Sequence, residues 1–210
     1  MKYKLIDIAS WERKDLFLFF KKFDNPTWDI IAELRIENFY NKTKEINASF
    51  YFSFLHTATK VCNSISAFRQ RIDDEGNVRE YELVHPGSTI LYDNGTFGFG
   101  YYRYQPDLIL FNKEAEIAFK DQKVKMNLDP KDEDLARLYF SPIPWISFTG
   151  FRHPYKNDAN HSIPMIVFGK HHEKDGTRVM PVGLTLHHGL ADGYHAGLFF
   201  NQLQDELNEL

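Results

Sequence analysis

Two hydrophobic periods alternate along this chain, and the sharpest change between them lies near its C-terminal end. Met180, Val182, Leu184 and Leu186 alternate with Pro181, Gly183, Thr185 and His187, the period of two expected of a strand, and His188 extends the apolar face. Beyond Asp192 and Gly193, the residues Ala196, Phe199, Phe200, Leu203, Leu207 and Leu210 recur at helical spacing, which predicts an amphipathic helix with Asp192 as its N-cap. At the other end, Ser10 reads as the N-cap of a helix whose stripe is Leu16, Phe17, Phe20 and Phe23, ended by Asn25-Pro26. Residues 28–37 read as a strand, and residues 47–68, which lack Gly and Pro, as the main buried helix.

Turn chemistry supplies the remaining boundaries. Residues 68–72 and 80–84 flank Asp73-Asp74-Glu75-Gly76-Asn77, and residues 163–170 and 178–187 flank Glu173-Lys174-Asp175-Gly176, two hairpin signals. A strand over 88–92 precedes Asn94-Gly95 and then an apolar stretch over 97–104. Residues 107–125 have helical spacing, 128–138 form a polar excursion, 139–151 are strand-like despite Pro142 and Pro144, and 153–161 read as a loop. No internal repeat, low-complexity segment or linker interrupts the pattern. Because hairpins exclude a purely parallel sheet, the expected fold is α/β, a mixed β-sheet with helices packed on it, in a single domain over 1–210.

Composition narrows the function classes. With 210 residues, 43% of them hydrophobic, the chain can bury a substantial core. Nineteen Phe and eleven Tyr are mostly core material, yet their number also suits an apolar pocket or a large subunit interface. A formal net charge of -4 and the lack of a long basic run argue against nucleic acid as a partner. The single Cys62 excludes an internal disulfide. Lys2, Lys4, Asp7, Glu12 and Arg13 make the N-terminus too charged for a signal peptide, and no stretch is long and apolar enough to span a bilayer. The expectation is a soluble cytoplasmic protein without a membrane partner.

The chemistry concentrates in His187-His188-Gly189-Leu190-Ala191-Asp192-Gly193, where strand meets helix. A histidine there can be held in one tautomer by a hydrogen bond at one ring nitrogen, leaving the other to accept a proton at neutral pH. Two other readings stand beside it: satisfied structural histidines, or a metal site built from the several His residues near this end. Consecutive strand residues point to opposite faces, so neither His187-His188 nor His171-His172 converges naturally on one ion, and no metal is expected.

From end to end the chain resembles the type A chloramphenicol acetyltransferase family. Trp11-Glu12-Arg13 is similar to the family's W-x-R, Pro144-Trp145-Ile146-Ser147-Phe148 to its P-W-x-x-F, and His187-His188-x-x-x-Asp192-Gly193-Tyr194-His195 to its HHxxxDG signature, followed by Asn201-Gln202-Leu203-Gln204. The signature also occurs in the acyltransferase cores of 2-oxo acid dehydrogenase complexes, but no lipoyl-domain or linker region is present here. The resemblance implies a two-layer sandwich and a homotrimer with active sites at subunit interfaces. It also implies direct acyl transfer from acetyl-CoA, the co-substrate, to a small-molecule acceptor. It assigns His188 as the general base and gives Asp192 a structural role, paired with Arg13. A guanidinium can grip a carboxylate through two parallel hydrogen bonds.

The same resemblance marks departures. The family's oxyanion-stabilising serine is matched to Gly150, in the strand-like segment, with Thr149 expected to point the other way; water or backbone is the expected substitute. A supporting threonine is matched to Val167. Lys170 matches a lysine near the coenzyme A phosphates, His171 stands where an aromatic lies against the nucleotide, and Ser49 stands where the family has a second lysine. Phe20, Trp28 and Phe97 fall near positions that line the acceptor cavity. The leading expectation is O-acetylation of chloramphenicol or a similar small hydroxyl compound. The alternatives are acyl transfer to another natural alcohol or amine, and a catalytically weakened trimeric ligand-binding protein.

Overall fold

The computed structural model describes residues 2–128, 130, 135–154, 158 and 160–209. In chain order, the elements are β1 (Tyr3–Leu5), α1 (Lys14–Phe20), β2 (Thr27–Arg35), α2 (Glu37–Glu45), α3 (Phe50–Ser64), β3 (Gln70–Ile72), β4 (Val78–Tyr81), β5 (His85–Leu91) and β6 (Phe97–Tyr101). There follow α4 (Leu108–Lys125), β7 (Arg137–Ile143), β8 (Met165–Gly169), β9 (His172–Lys174), β10 (Thr177–His187) and α5 (Gly193–Glu209). A 3₁₀ turn, Ser66–Arg69, joins α3 to β3.

Local signals explain most boundaries. Ser49 caps α3 by accepting from the Phe52 N–H at 3.4 Å, and Asp107 caps α4 by accepting from the Leu110 N–H at 2.7 Å. Between β9 and β10, Asp175 and Gly176 adopt φ of 51° and 74°, the two left-handed residues of a tight hairpin turn. Asp73 organises the β3–β4 turn, its Oδ1 accepting from the N–H groups of Glu75 and Asn77.

Seven strands form the main sheet in the order β2-β10-β8-β7-β5-β6, with β9 also paired to β10; β1-β4-β3 form a smaller sheet. The β5–β7 and β7–β8 pairs are parallel and the other pairs antiparallel, so the sheet is mixed, as expected. Helices α2 to α5 cover it. Phe54 and Leu55 of α3 and Phe199 and Leu203 of α5 share one core with Leu138, Phe140, Val182 and Leu184 of the sheet. Arg71 is buried completely: its Nε donates to the Leu135 carbonyl, Nη1 to those of Phe68 and Gln70, and Nη2 to that of Arg137. That clasp fastens the small sheet to the start of β7.

Three expectations change. The first helix starts at Lys14, because the Ser10 hydroxyl donates to Asp7 Oδ2 at 2.8 Å instead of capping; of its stripe only Phe17 is fully buried. The strand expected over 139–151 stops at Ile143, since Pro144 has no N–H to donate to a ladder. Strand β10 is buried on both faces from Val179 onward, so its alternation does not separate core from solvent. It lies between β2 and β8, with Phe148 packed over Gly169 beside Pro181. Within the expected excursion over 128–138 and loop over 153–161, residues 129, 131–134, 155–157 and 159 lie outside the described residues. No helix among the described residues is long and apolar enough to cross a membrane.

Candidate active site

Strand β10, between β2 and β8, delivers His187 and the His188 that follows it to different tasks. His187 is buried and pairs with Thr27 across the ladder; its Nδ1 accepts from the Gly189 N–H at 3.1 Å, and its carbonyl accepts from Leu190 and Ala191 at 3.0 Å. It holds the turn. His188 extends the backbone pairing by one rung, its N–H donating to the Pro26 carbonyl at 2.8 Å, and its ring stands clear of the ladder.

Two aromatic side chains grip that ring. Phe20 stacks on it with centroids 4.1 Å apart and planes 6° apart, and Trp28 lies against it at 5.4 Å. The Trp28 Nε1–H donates to the Ala191 carbonyl at 3.1 Å, which fixes the indole to the turn that follows His188. Nδ1 of His188 is enclosed without a hydrogen-bond partner among the described residues, whereas Nε2 is not enclosed. Ring stacking therefore orients this imidazole, where a hydrogen bond at one nitrogen was expected.

Below the ring, Asp192 caps α5 through Oδ1, which accepts from the Tyr194 N–H at 3.1 Å. Oδ1 also accepts from Nδ1–H of His195 at 2.8 Å, and Oδ2 accepts from Nη1 of Arg13 at 2.7 Å. Burial works to raise the Asp192 pKa, but the hydrogen bonds from Arg13 and His195 outweigh it and hold the carboxyl well below its ordinary range. The expected Arg13–Asp192 pair is present with one hydrogen bond rather than two, because His195 and the helix N-terminus occupy the second oxygen. The Arg13 carbonyl accepts from Phe17 at 2.9 Å and so begins α1, the helix that carries Phe20 to His188. Sequence reasoning assigned no role to His195; its three-residue spacing from a helix-capping aspartate is the signal that identifies it.

Lys170, His171 and Phe97 stand elsewhere. Continuing the β8–β10 register sets Lys170 level with Met180, so His188 lies eight residues further along β10, roughly 26 Å at about 3.3 Å per residue. Phe97 opens β6, four strands from β10, which is about 19 Å at about 4.8 Å per strand. A cleft of about 920 Å³ contains Lys170, His171, Trp145, Phe50, Phe168 and Phe97. Within it Lys170 is exposed, and the His171 ring meets Tyr40 edge-on at 5.3 Å; burial, with Arg178 and Lys170 nearby, lowers the His171 pKa.

A second cavity of about 360 Å³ adjoins the first and is lined by Phe97, Phe99, Tyr101, Phe151, His153 and Met165 among others. Phe97, Thr89 and Ser141 belong to both walls. Ser141 is half-buried in β7, in register with Val167 of β8. Gly150, by contrast, is exposed in irregular backbone, and a Cβ built on it meets nothing within 4 Å. The expected strand does not exist there, so the argument that Thr149 points away falls with it. Two hydroxyls, those of Thr89 and Ser141, lie on both walls, and sequence reasoning passed over each; only their strand pairings and their places in the cavities reveal them. Ser49 is occupied as the cap of α3.

Comparison with known proteins identifies the family. A family model described as chloramphenicol acetyltransferase matches residues 1–204. A chloramphenicol acetyltransferase of Clostridium perfringens is 30% identical over 207 residues, 98% of this chain and 94% of that protein. One from Staphylococcus aureus is 31% identical over 218 aligned positions, covering 98% of this chain and 95% of its own. A solved chloramphenicol acetyltransferase superposes with a TM-score of 0.89 at 29% identity, covering 98% of this chain and 100% of that one. The mixed sheet covered by helices, with an imidazole just past the end of β10, is thus that of an acyltransferase. The chain belongs to the chloramphenicol acetyltransferase family.

Proposed function

We propose that this chain transfers the acetyl group of acetyl-CoA to a hydroxyl of chloramphenicol or a similar small alcohol, with His188 as general base. The observation that carries the reading is the clamped His188 ring, whose Nε2 is the one ring nitrogen not enclosed. Nε2 takes the proton from the acceptor hydroxyl while the oxygen attacks the thioester carbonyl. The carbonyl π electrons move onto oxygen and form a tetrahedral intermediate, whose negative charge the Ser141 hydroxyl stabilises by donating a hydrogen bond. The intermediate collapses, the C–S bond breaks, and His188 returns the proton to the departing thiolate. A positioned base of this kind contributes roughly 10²–10⁴-fold. Asp192 and Arg13 do not exchange protons in this scheme; they hold the α1 and α5 termini, and through Phe20 the ring.

Lys170 and His171 bind the nucleotide end of the donor, and Phe20, Trp28 and Phe97 contact the acceptor. Because Lys170 and Phe97 lie far from His188 of the same chain, the working unit is a ring of three chains in which the His188 corner of one faces the paired cavities of the next. Such head-to-tail contacts close into rings. Exposed Phe19, Phe23, Leu91, Phe97 and Trp145 supply apolar surface for them. Consumption of acetyl-CoA and a single buried, free Cys62 suit the cytoplasm.

Thiol release from acetyl-CoA in the presence of chloramphenicol tests the reading. Wild type is expected to turn over, and His188→Gln to bind coenzyme A but lose turnover. Activity surviving in His188→Gln refutes the mechanism. A wild type inactive on chloramphenicol but active on another small alcohol moves the substrate and leaves the mechanism in place.

A further inference from the structure

Helix α4 is apolar on two faces, and only one of them meets the core. Phe111 and Ala115 are buried, with Ala118 and Phe119 packed against the core, whereas Leu110, Ile117 and Val124 point away from it and are exposed. Val124, at 83% exposure, is the most open large apolar side chain among the described residues. The three recur every seven residues, which on a helix of 3.6 residues per turn makes one nearly straight stripe. Charge is sorted about it. At about 100° per residue, Lys113 and Lys120 fall within about 60° on one side of Ile117, and Glu114 and Asp121 within about 60° on the other. All four are exposed, and the 2.7 Å pair of Lys120 with Glu116 on the same helix is a surface contact of little energetic weight.

A stripe with one basic and one acidic flank complements a copy of itself in a single orientation. Two such helices lying side by side in parallel, related by a two-fold axis along them, set the basic flank of each against the acidic flank of the other: Lys113 meets the second copy's Glu114, and Lys120 its Asp121. Run antiparallel, like flanks meet, Lys113 against Lys120 and Glu114 against Asp121. We propose that the outer face of α4 is a contact between two copies of this chain, paired in parallel along Leu110, Ile117 and Val124. The contact is isologous, unlike the head-to-tail contacts proposed for the ring of three, and does not depend on them. The 18 residues of α4 give it a length of about 27 Å, the scale of a weak, reversible interface.

Sedimentation velocity of the full chain over a wide range of concentration is the test. Wild type is expected to shift to larger mass as concentration rises. Ile117→Glu, which sets a carboxylate in the middle of the stripe, should keep its low-concentration mass and the wild-type thermal midpoint. Lys113→Glu/Lys120→Glu and Glu114→Lys/Asp121→Lys should each fail to associate alone and should associate when mixed. Orientation is read by oxidation: a parallel pair brings like positions together, so Leu110→Cys should form a disulfide with itself, and a mixture with Val124→Cys should form none between positions 110 and 124. Cys62 is buried and does not compete. A wild type whose mass is independent of concentration leaves the stripe to some other partner and overturns the proposal, as does an Ile117→Glu that associates like wild type. Failure of the mixed charge variants to associate overturns the pairing of flanks, and a disulfide between positions 110 and 124 overturns the parallel orientation.

Discussion

The corner around His188 and the walls around Ser141 are built in opposite ways. The corner is self-sufficient: a strand end, a turn and two helix termini clamp one ring by stacking and fix its supports with an ion pair. The walls are open, with Phe97 and Trp145 more than half exposed, and within one chain they lie far from the base. A catalytic base needs a fixed orientation, which one chain's packing can supply. A ligand cleft needs an opening, which a neighbouring chain can finish. The difference fits the proposed division of the site between chains.

The largest effect should come from recombining the halves. His188→Gln and Ser141→Ala subunits, each expected to lose about 10²–10³-fold or more alone, should regain turnover near wild-type order when refolded together. If mixed trimers form and no activity returns, one chain holds both halves and the comparison breaks. Next, Arg13→Lys keeps the charge but changes the side-chain contact to Asp192 at the start of α1; it should lower kcat about tenfold with little change in either KM, as expected of a positioning residue.

A smaller effect lies in acid stability. The Asp192 pKa is depressed in the folded state from its ordinary 3.8, so its stabilising contribution is fully present above that value and is lost as the pH falls toward the folded value. The gap in thermal midpoint between wild type and Asp192→Asn should therefore be wider at about pH 7 than at about pH 3. An equal gap would mean that capping alone, and not the charge, supports the corner. The smallest effect is expected of Gly150→Ser, whose new side chain enters open space: turnover should stay within about twofold, since exposed substitutions seldom matter. A large gain there would return the oxyanion donor to position 150 and remove that role from Ser141.

The two regions also differ in how much of them the sequence reveals. The corner is one contiguous run in which alternation ends, histidines follow and a capping aspartate begins a helix, so its parts can be read in order. Phe20 and Trp28 join it only by resemblance, because an aromatic on a helix stripe or strand reads first as core. The walls depend on pairings between distant segments. Ser141 gains meaning from the parallel β7–β8 ladder. Gly150 went astray for a related reason: apolar composition continues past Pro144, but hydrogen-bond pairing does not, and composition alone does not show where pairing ends. The main sheet, the hairpin turns and the helices over 47–68 and 107–125 are visible in periodicity and caps; the burial of both faces of β10 is not.

The Arg71 clasp bears on the order of folding. Its Nη1 has acceptors close by, but its Nε and Nη2 find theirs only when the turn after α3 meets a backbone segment 64 to 66 residues further along the chain. Until that segment arrives, burying the small sheet would strand a cation in the core at high cost. The sheet's docking is therefore gated by the arrival of β7, so that the β3–β4 hairpin should gain hydrogen-exchange protection together with the main sheet and not before it.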